Sequence, residues 1–250
     1  MSAGLDFDLG GLSPADDRSG ILRDIAGESD LDLLTRHDVG DRSYLIAFDN
    51  GAAWGPGRSL PDLFTFDVRR DQAQGTFALD GAAHANVAFA QKWLAERGCP
   101  PRAMTVDGDL VGADELTYRI EDQIHRAGER YELIGLTAAR ESPGEAWTMV
   151  VDRDAADLPV RLFIEHSDAE QNTYTVREGA FPDRAGAEAW LADRNTPLPE
   201  PPEYRQDADA LRTRAALARS AAPTAPGVAE IVAAAPAAAA LAQPDRGRSL

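Results

Sequence analysis

The chain's 250 residues include a single cysteine, Cys99, and a single lysine, Lys92. One thiol excludes an internal disulfide and any zinc site built from several cysteines. Cys99 has only Arg97 and Arg102 as basic neighbours and no histidine nearby, which is a poor setting for a catalytic thiol. The shortage of lysine comes with many arginines and alanines, a bias of GC-rich genomes from which no mechanism follows. Histidine occurs four times, at His37, His84, His125 and His166, with no HxxxH or HxH spacing. These rings read as scattered surface groups, and no metal site is expected. No GxSxG turn, Walker loop or GxGxxG segment precedes a helix, so acyl transfer and nucleotide binding lack their local signals and no cofactor is expected.

Long apolar runs are also missing. The longest, residues 231–242, is mostly alanine and is broken by Pro236, so no segment is expected to span a membrane. Residues 1–12 have neither the basic nor the apolar stretch of a signal peptide, and a cytoplasmic protein is the expectation.

What is abundant is negative charge. The net charge is -17, and residues 1–195 hold the whole excess, with 36 acids against 19 bases, while residues 196–250 are balanced at 6 and 6. A body this acidic repels DNA and anionic membrane surfaces and attracts basic partners.

The sequence also repeats itself. Trp93-Leu94-Ala95-Glu96-Arg97 returns as Trp190-Leu191-Ala192-Asp193-Arg194, and Gln74-Gly75-Thr76-Phe77 as Gln171-Asn172-Thr173-Tyr174, both 97 residues on. Leu60-Pro61 recurs at Leu158-Pro159, and Ala26-Gly27-Glu28 at Ala127-Gly128-Glu129. Matches in one order with small shifts argue for a duplicated structural unit.

Within each unit the pattern predicts a helix, two β-hairpins and a closing helix. In the first, residues 13–98, Ser13-Pro14 reads as an N-cap and first helical residue for a helix carrying Ile21, Leu22 and Ile25. Residues 31–36 with 43–49, and 62–69 with 75–80, read as hairpins. In the second hairpin Phe64, Phe66, Val68, Phe77 and Leu79 share one face, whereas Thr65, Asp67, Arg69, Thr76 and Asp80 face away. A helix over 83–97 closes the unit, with Val87, Ala90 and Leu94 inward.

The second unit, residues 113–195, repeats this with helices over 113–127 and 183–194. The fold class is therefore α+β, an internal duplication of a helix–four antiparallel strands–helix unit. Helices on one face of each sheet would leave the other face open to solvent or to the second sheet. Residues 196–250 read as a Pro/Ala-rich linker, a possible short helix over 207–220 and a flexible tail.

Among candidate sites, Asp107-Gly108-Asp109 opens like a calcium loop, but Val111 and Tyr118 stand where oxygen ligands are needed, so it reads as a helix-capping turn. Asp67 and Asp80 lie on neighbouring strands, with Glu165 taken as the counterpart of Asp67 and Arg177 as that of Asp80. This carboxylate set would serve a glycosidase-like hydrolase, against the plainer reading of a solvated sheet face. The connection over residues 50–61 is twelve residues long, against about seven in the second unit. Its Trp54 and Arg58, set among glycines, suit a contact with a protein partner.

The stretch Trp54-Gly55-Pro56-Gly57-Arg58-Ser59-Leu60-Pro61-Asp62-Leu63-Phe64-Thr65-Phe66-Asp67, with the repeat around it, resembles a group of uncharacterised actinobacterial proteins. Some members carry a glycosyl hydrolase label, so the resemblance implies that activity as an alternative and transfers no residues. The leading expectation is an acidic module that binds another protein, with no catalysis, no nucleic acid and no membrane. A carboxylate-dependent hydrolase and a DNA-mimicking inhibitor are the alternatives.

Overall fold

The computed structural model describes residues 5–51, 62–100, 103–106, 110–139 and 144–204, all belonging to the compact unit Met1–Gln206. They form a mixed α/β body with two five-stranded sheets. The elements run β1 (Ser13–Pro14), α1 (Asp17–Glu28), β2 (Leu31–Val39), β3 (Arg42–Asp49), β4 (Leu63–Asp71), β5 (Thr76–His84) and α2 (Val87–Glu96). Then come β6 (Val111–Gly112), α3 (Glu115–His125), β7 (Tyr131–Ala139), β8 (Glu145–Asp152), β9 (Val160–Asp168), β10 (Thr173–Phe181) and α4 (Arg184–Ala192). Strand order is β1-β5-β4-β3-β2 in the first sheet and β6-β10-β9-β8-β7 in the second.

Each half thus opens on a strand, not on the expected helix. Ser13 and Pro14 do not cap α1. They form β1, which pairs in parallel with Thr76 and Phe77. The cap is Asp16, whose carboxylate accepts from the Ser19 N–H at 2.7 Å. Asp114 does the same for α3, accepting from Thr117 N–H at 2.9 Å. One buried hydroxyl in the first turn of each helix then accepts a strand amide: Ser19 Oγ from Leu79 N–H, and Thr117 Oγ1 from Val176 N–H. The edge strands match as well, with a bulge between Leu33 and Thr35 in β2 and between Leu133 and Gly135 in β7. The turn before β5 places Gly75 at φ 64°, and the one before β10 places Asn172 at φ 51°. Both residue types tolerate that left-handed conformation.

Helices pack on both faces of each sheet. α1 and the segment around Phe7 cover one side of the first sheet, over Leu45, Phe66, Val68, Phe77 and Leu79. α2 covers the other, burying Ala90 and Leu94 on Tyr44, Ile46 and Leu63. The face expected to meet water therefore does not: Thr65 and Asp67 are buried. β5 runs on to His84, so α2 starts later than expected, at Val87. α2 also turns Ala88 and Phe89 to the second sheet, where they pack with Ile120 and Ile124 of α3 on Phe163 and Val176. A helix apolar on two sides is what a position between two sheets requires. α4 covers the far side of the second sheet over Met149, Leu162 and Phe181.

The two tryptophans have matching surroundings. Trp93 lies under the Arg97 guanidinium at 3.4 Å and beside His84; Trp190 lies under Arg194 at 5.4 Å and beside Phe181.

Candidate functional site

Asp67 and Asp80 are direct cross-strand partners, as the hairpin required. Both are spoken for by arginines. Arg42 grips the buried Asp67 through two hydrogen bonds of 2.6 and 2.7 Å, with Arg69 at 3.7 Å. Asp80 receives Arg18 at 2.7 Å and Arg97 at 3.1 Å. Both carboxylates are thus ion-pair partners of guanidinium groups, Asp67 buried and Asp80 partly exposed.

Glu165 is not the counterpart of Asp67. β4 and β9 match at a spacing of 97, which sets Asp67 against Ile164 and Val68 against Glu165. The cross-strand partners agree: Asp67 faces Asp80, and Ile164 faces Arg177. A shift of one residue moves a side chain to the opposite face, so Glu165 never joins the other two acids. It is instead half-buried in the seam between the halves and accepts from Asn86 Nδ2 at 3.2 Å. Asn86 is buried and receives the hydroxyl of Thr148, also buried. Loss of water pushes the Glu165 carboxyl up to about 7, against the lowering effect of Asn86, with Glu121 adding to the rise.

His84 is likewise no surface group. It is buried, shares a 3.0 Å hydrogen bond with Thr65 Oγ1, and burial pushes it down to about 3. Beside it a cleft of about 200 Å³ opens between α2 and β7, walled by Phe89, Trp93, Tyr131 and Leu133. Lys92, the lone lysine, stands there paired with Glu96. Cys99 is buried and its thiol is pushed up to about 11, which removes it as a nucleophile at neutral pH. Among the described residues no cluster of His, Cys, Asp or Glu is placed to hold a metal.

The two halves differ most where the first helix meets its sheet. In the first half a groove of about 130 Å³ lies between α1 and the ends of β4 and β5, lined by Leu22, Ile25, Leu31, Phe64, Gly81 and Ala83. Ile21 and Ile25, one helical turn apart, stand exposed on α1, at 59% and 53%. At the matching place in the second half, Arg119, Gln123, Tyr131, Arg161 and Glu178 replace Ile21, Ile25, Leu31, Phe64 and Gly81.

That second groove is occupied by the chain itself. Pro199 O accepts from Ala180 N–H at 2.8 Å on the free end of β10. Tyr204 then packs on the α3 core, under Arg119 at 5.2 Å, with its hydroxyl on Glu178. Glu178 also accepts from Gln123 at 2.9 Å, and Arg161 pairs with Asp152 and Glu203. Here Arg161 is 1% exposed, which makes this the most deeply buried charge cluster on the second sheet.

Trp54 and Arg58, the expected partner contacts, lie outside the described residues, as do Asp107, Asp109 and the possible helix over 207–220. The groove residues carry no signal within α1 or α3 taken alone. Setting Ile21 and Ile25 against Arg119 and Gln123 at the repeat spacing would have shown the exchange of polar for apolar. No family model matches this sequence, and neither a curated protein nor a solved structure does.

Proposed function

We propose that this chain is an acidic protein-binding module without catalytic activity, made by duplication of one β-α-β4-α unit. The matched caps, buried hydroxyls, bulges and tryptophan–arginine pairs support the duplication. One observation carries the binding reading: a groove that the second half fills with its own chain is open and apolar in the first half. Exposed apolar surface next to a concave site marks interaction surfaces. The connection bearing Trp54 and Arg58 belongs to the same proposal, as a second contact leading into Phe64. We place the module in the cytoplasm; no helix among the described residues is long and apolar enough to cross a membrane. The hydrolase alternative loses support because Asp67 and Asp80 are held by arginines and Glu165 lies on another face.

The test is quantitative pull-down of co-purifying proteins by the intact chain, by Ile21→Arg and by Trp54→Ala, with a panel of glycosides assayed alongside. A protein retained by the intact chain and lost with either variant is the expected result. Turnover of a glycoside that Asp67→Asn or Asp80→Asn abolishes would overturn it.

A further inference from the structure

The groove of the first half allows its occupant to be described chemically, because the filled groove of the second half shows how such an occupant is held. We propose that it takes an extended segment of a partner protein that carries phenylalanine, tryptophan or leucine, flanked by arginine or lysine. This deepens the binding reading above and rests on it.

The backbone part of the site is a strand end. β1 pairs with β5 only at Thr76 and Phe77, as β6 pairs with β10 only at Thr173 and Tyr174. The far end of β10 is therefore free to donate Ala180 N–H to Pro199 O. Ala83 is the corresponding residue of β5, on a wall of the open groove. An extended segment laid along this edge gains main-chain hydrogen bonding of the kind used when peptides add to sheets.

The side-chain part differs between the halves, and the difference sets the preference. Tyr204 needs its hydroxyl because it donates to Glu178, a carboxylate that Gln123 also holds in place. In the first half Gly81 and Ile25 hold those places, and Phe64 replaces Arg161. The one polar side chain of this lining, Ser29, already donates its hydroxyl to Ile25 O. A tyrosine hydroxyl buried there would therefore meet no carboxylate or amide, whereas phenylalanine or leucine would need none. The cation over the ring is gone too, since Ile21 stands where Arg119 does.

Charge is reversed in the same way. The strap, the segment 198–204 that fills the second groove, carries Glu200 and Glu203, and Glu203 pairs with Arg161, while Arg126 and Arg130 follow α3. The caps Asp16 and Asp114 align α1 with α3 at a spacing of 98, so the recurrence of Ala26-Gly27-Glu28 as Ala127-Gly128-Glu129 does not mark equivalent positions. Beside the open groove Glu28 and Asp30, both exposed, take the places of Arg126 and Arg130. The last turn of α1 has no basic residue to offset the negative end of its dipole. A basic occupant fits this rim and an acidic one does not. A second copy of so acidic a chain fits it poorly.

The probe is a synthetic peptide with the sequence of residues 197–206 carrying Glu200→Arg, Glu203→Arg and Tyr204→Phe. It is titrated into the full chain with methyl groups of isoleucine and leucine labelled for NMR, in parallel with the unaltered peptide. The expected result is saturable binding that shifts Leu22 and Ile25. Binding should be about tenfold or more weaker for the unaltered peptide and for Ile25→Gln. Ile25 is exposed, so that variant folds.

Equal affinity for both peptides would overturn the partner chemistry while leaving the groove a docking surface. No binding of either peptide at about 1 mM, with Ile21→Arg still abolishing protein retention, would overturn the occupant and spare the module. Concentration-dependent dimerisation that protects Ile25 would make a second copy the occupant. Binding that appears only after residues 52–61 are replaced by the shorter connection of the second half would assign the groove to the chain's own loop.

Discussion

Asn86, the residue just ahead of α2, donates from its side chain to the Glu165 carboxylate of β9, so one hydrogen bond ties the closing helix of the first half to the sheet of the second. That bond sits where ionisation is costly. Burial raises the Glu165 carboxyl to about 7 from an ordinary 4.5, with the nearby Glu121 also raised by burial. Asn86 also receives the Thr148 hydroxyl, and Glu121, which accepts from the Tyr174 hydroxyl, adds negative charge beside Glu165.

A carboxyl whose folded value is raised contributes stability that is full below about 4.5 and is lost as pH rises through about 7. Glu165→Gln keeps the amide contact and removes the titration. Urea unfolding from pH 4 to 8 should show a shallower loss of stability on the alkaline side for the variant, by up to about 3 kcal/mol at pH 8. Parallel curves would mean that the carboxyl is well solvated.

His84 has the opposite sign. Its folded value is depressed to about 3, mainly by burial, so its contribution is full above about 6.5 and is lost as pH falls toward 3. The matching residue beside Trp190 is Phe181. His84→Phe should therefore be accepted beside Trp93 and should flatten the acid side of the stability curve between pH 6.5 and 4, read by thermal melting. A variant that melts well below the parent at pH 7.5 would show that the hydrogen bond to Thr65 outweighs the burial of the ring.

Asp67 and Asp80, equivalent on paper as a carboxylate pair, should separate in stability. Asp67 is buried under a two-pronged Arg42 contact, so Asp67→Asn should cost about 3 kcal/mol by leaving a guanidinium poorly matched. Asp80 and its partners are more exposed, and Asp80→Asn should cost about 1 kcal/mol or less. Chemical denaturation of both variants checks this. Equal losses would contradict the burial of one and the exposure of the other.

The strands were legible because each alternates apolar and polar residues between turn residues. The repeat was legible because Trp93 and Trp190 keep their neighbours. Two kinds of error came from physics that a local pattern does not carry. Thr65 and Asp67 look like a solvated face, yet α2 covers them, and hydrogen bonds from Arg42 and with His84 make that burial tolerable. The residue pattern around Glu165 resembles that around Asp67 one residue out of register, and in a strand one residue is a whole face. The strap was invisible for another reason. Residues 198–204 look like a solvent-exposed proline linker, and only the buried Arg161 and Glu178 show why Glu203 and Tyr204 are held. The partners of the carboxylates are equally hidden from a local pattern: Arg42 and Arg18, distant in sequence from Asp67 and Asp80, are brought to them only by the fold.

Ending the chain after Gln206 keeps every residue of the described body, and the alanine- and proline-rich residues beyond it have little bulky apolar surface to offset their ordering. That truncation should leave the melting temperature within a degree or two of the full chain. Ending it after Asn195 removes Pro199 from β10, Tyr204 from the α3 core and Glu203 from Arg161. Arg161 and Glu178 would then share a buried site with fewer partners, and a loss of about 3 kcal/mol or more should follow. Tyr204→Phe isolates one piece of this, the hydroxyl on Glu178, and should cost about 1–2 kcal/mol. The peptide of residues 197–206, added to the shorter truncation, should raise its melting temperature in a concentration-dependent way, because the vacated groove still presents Ala180, Arg119 and Glu178. If the shorter truncation melts like the parent, the strap is a passive linker, and the comparison between filled and open grooves loses its ground.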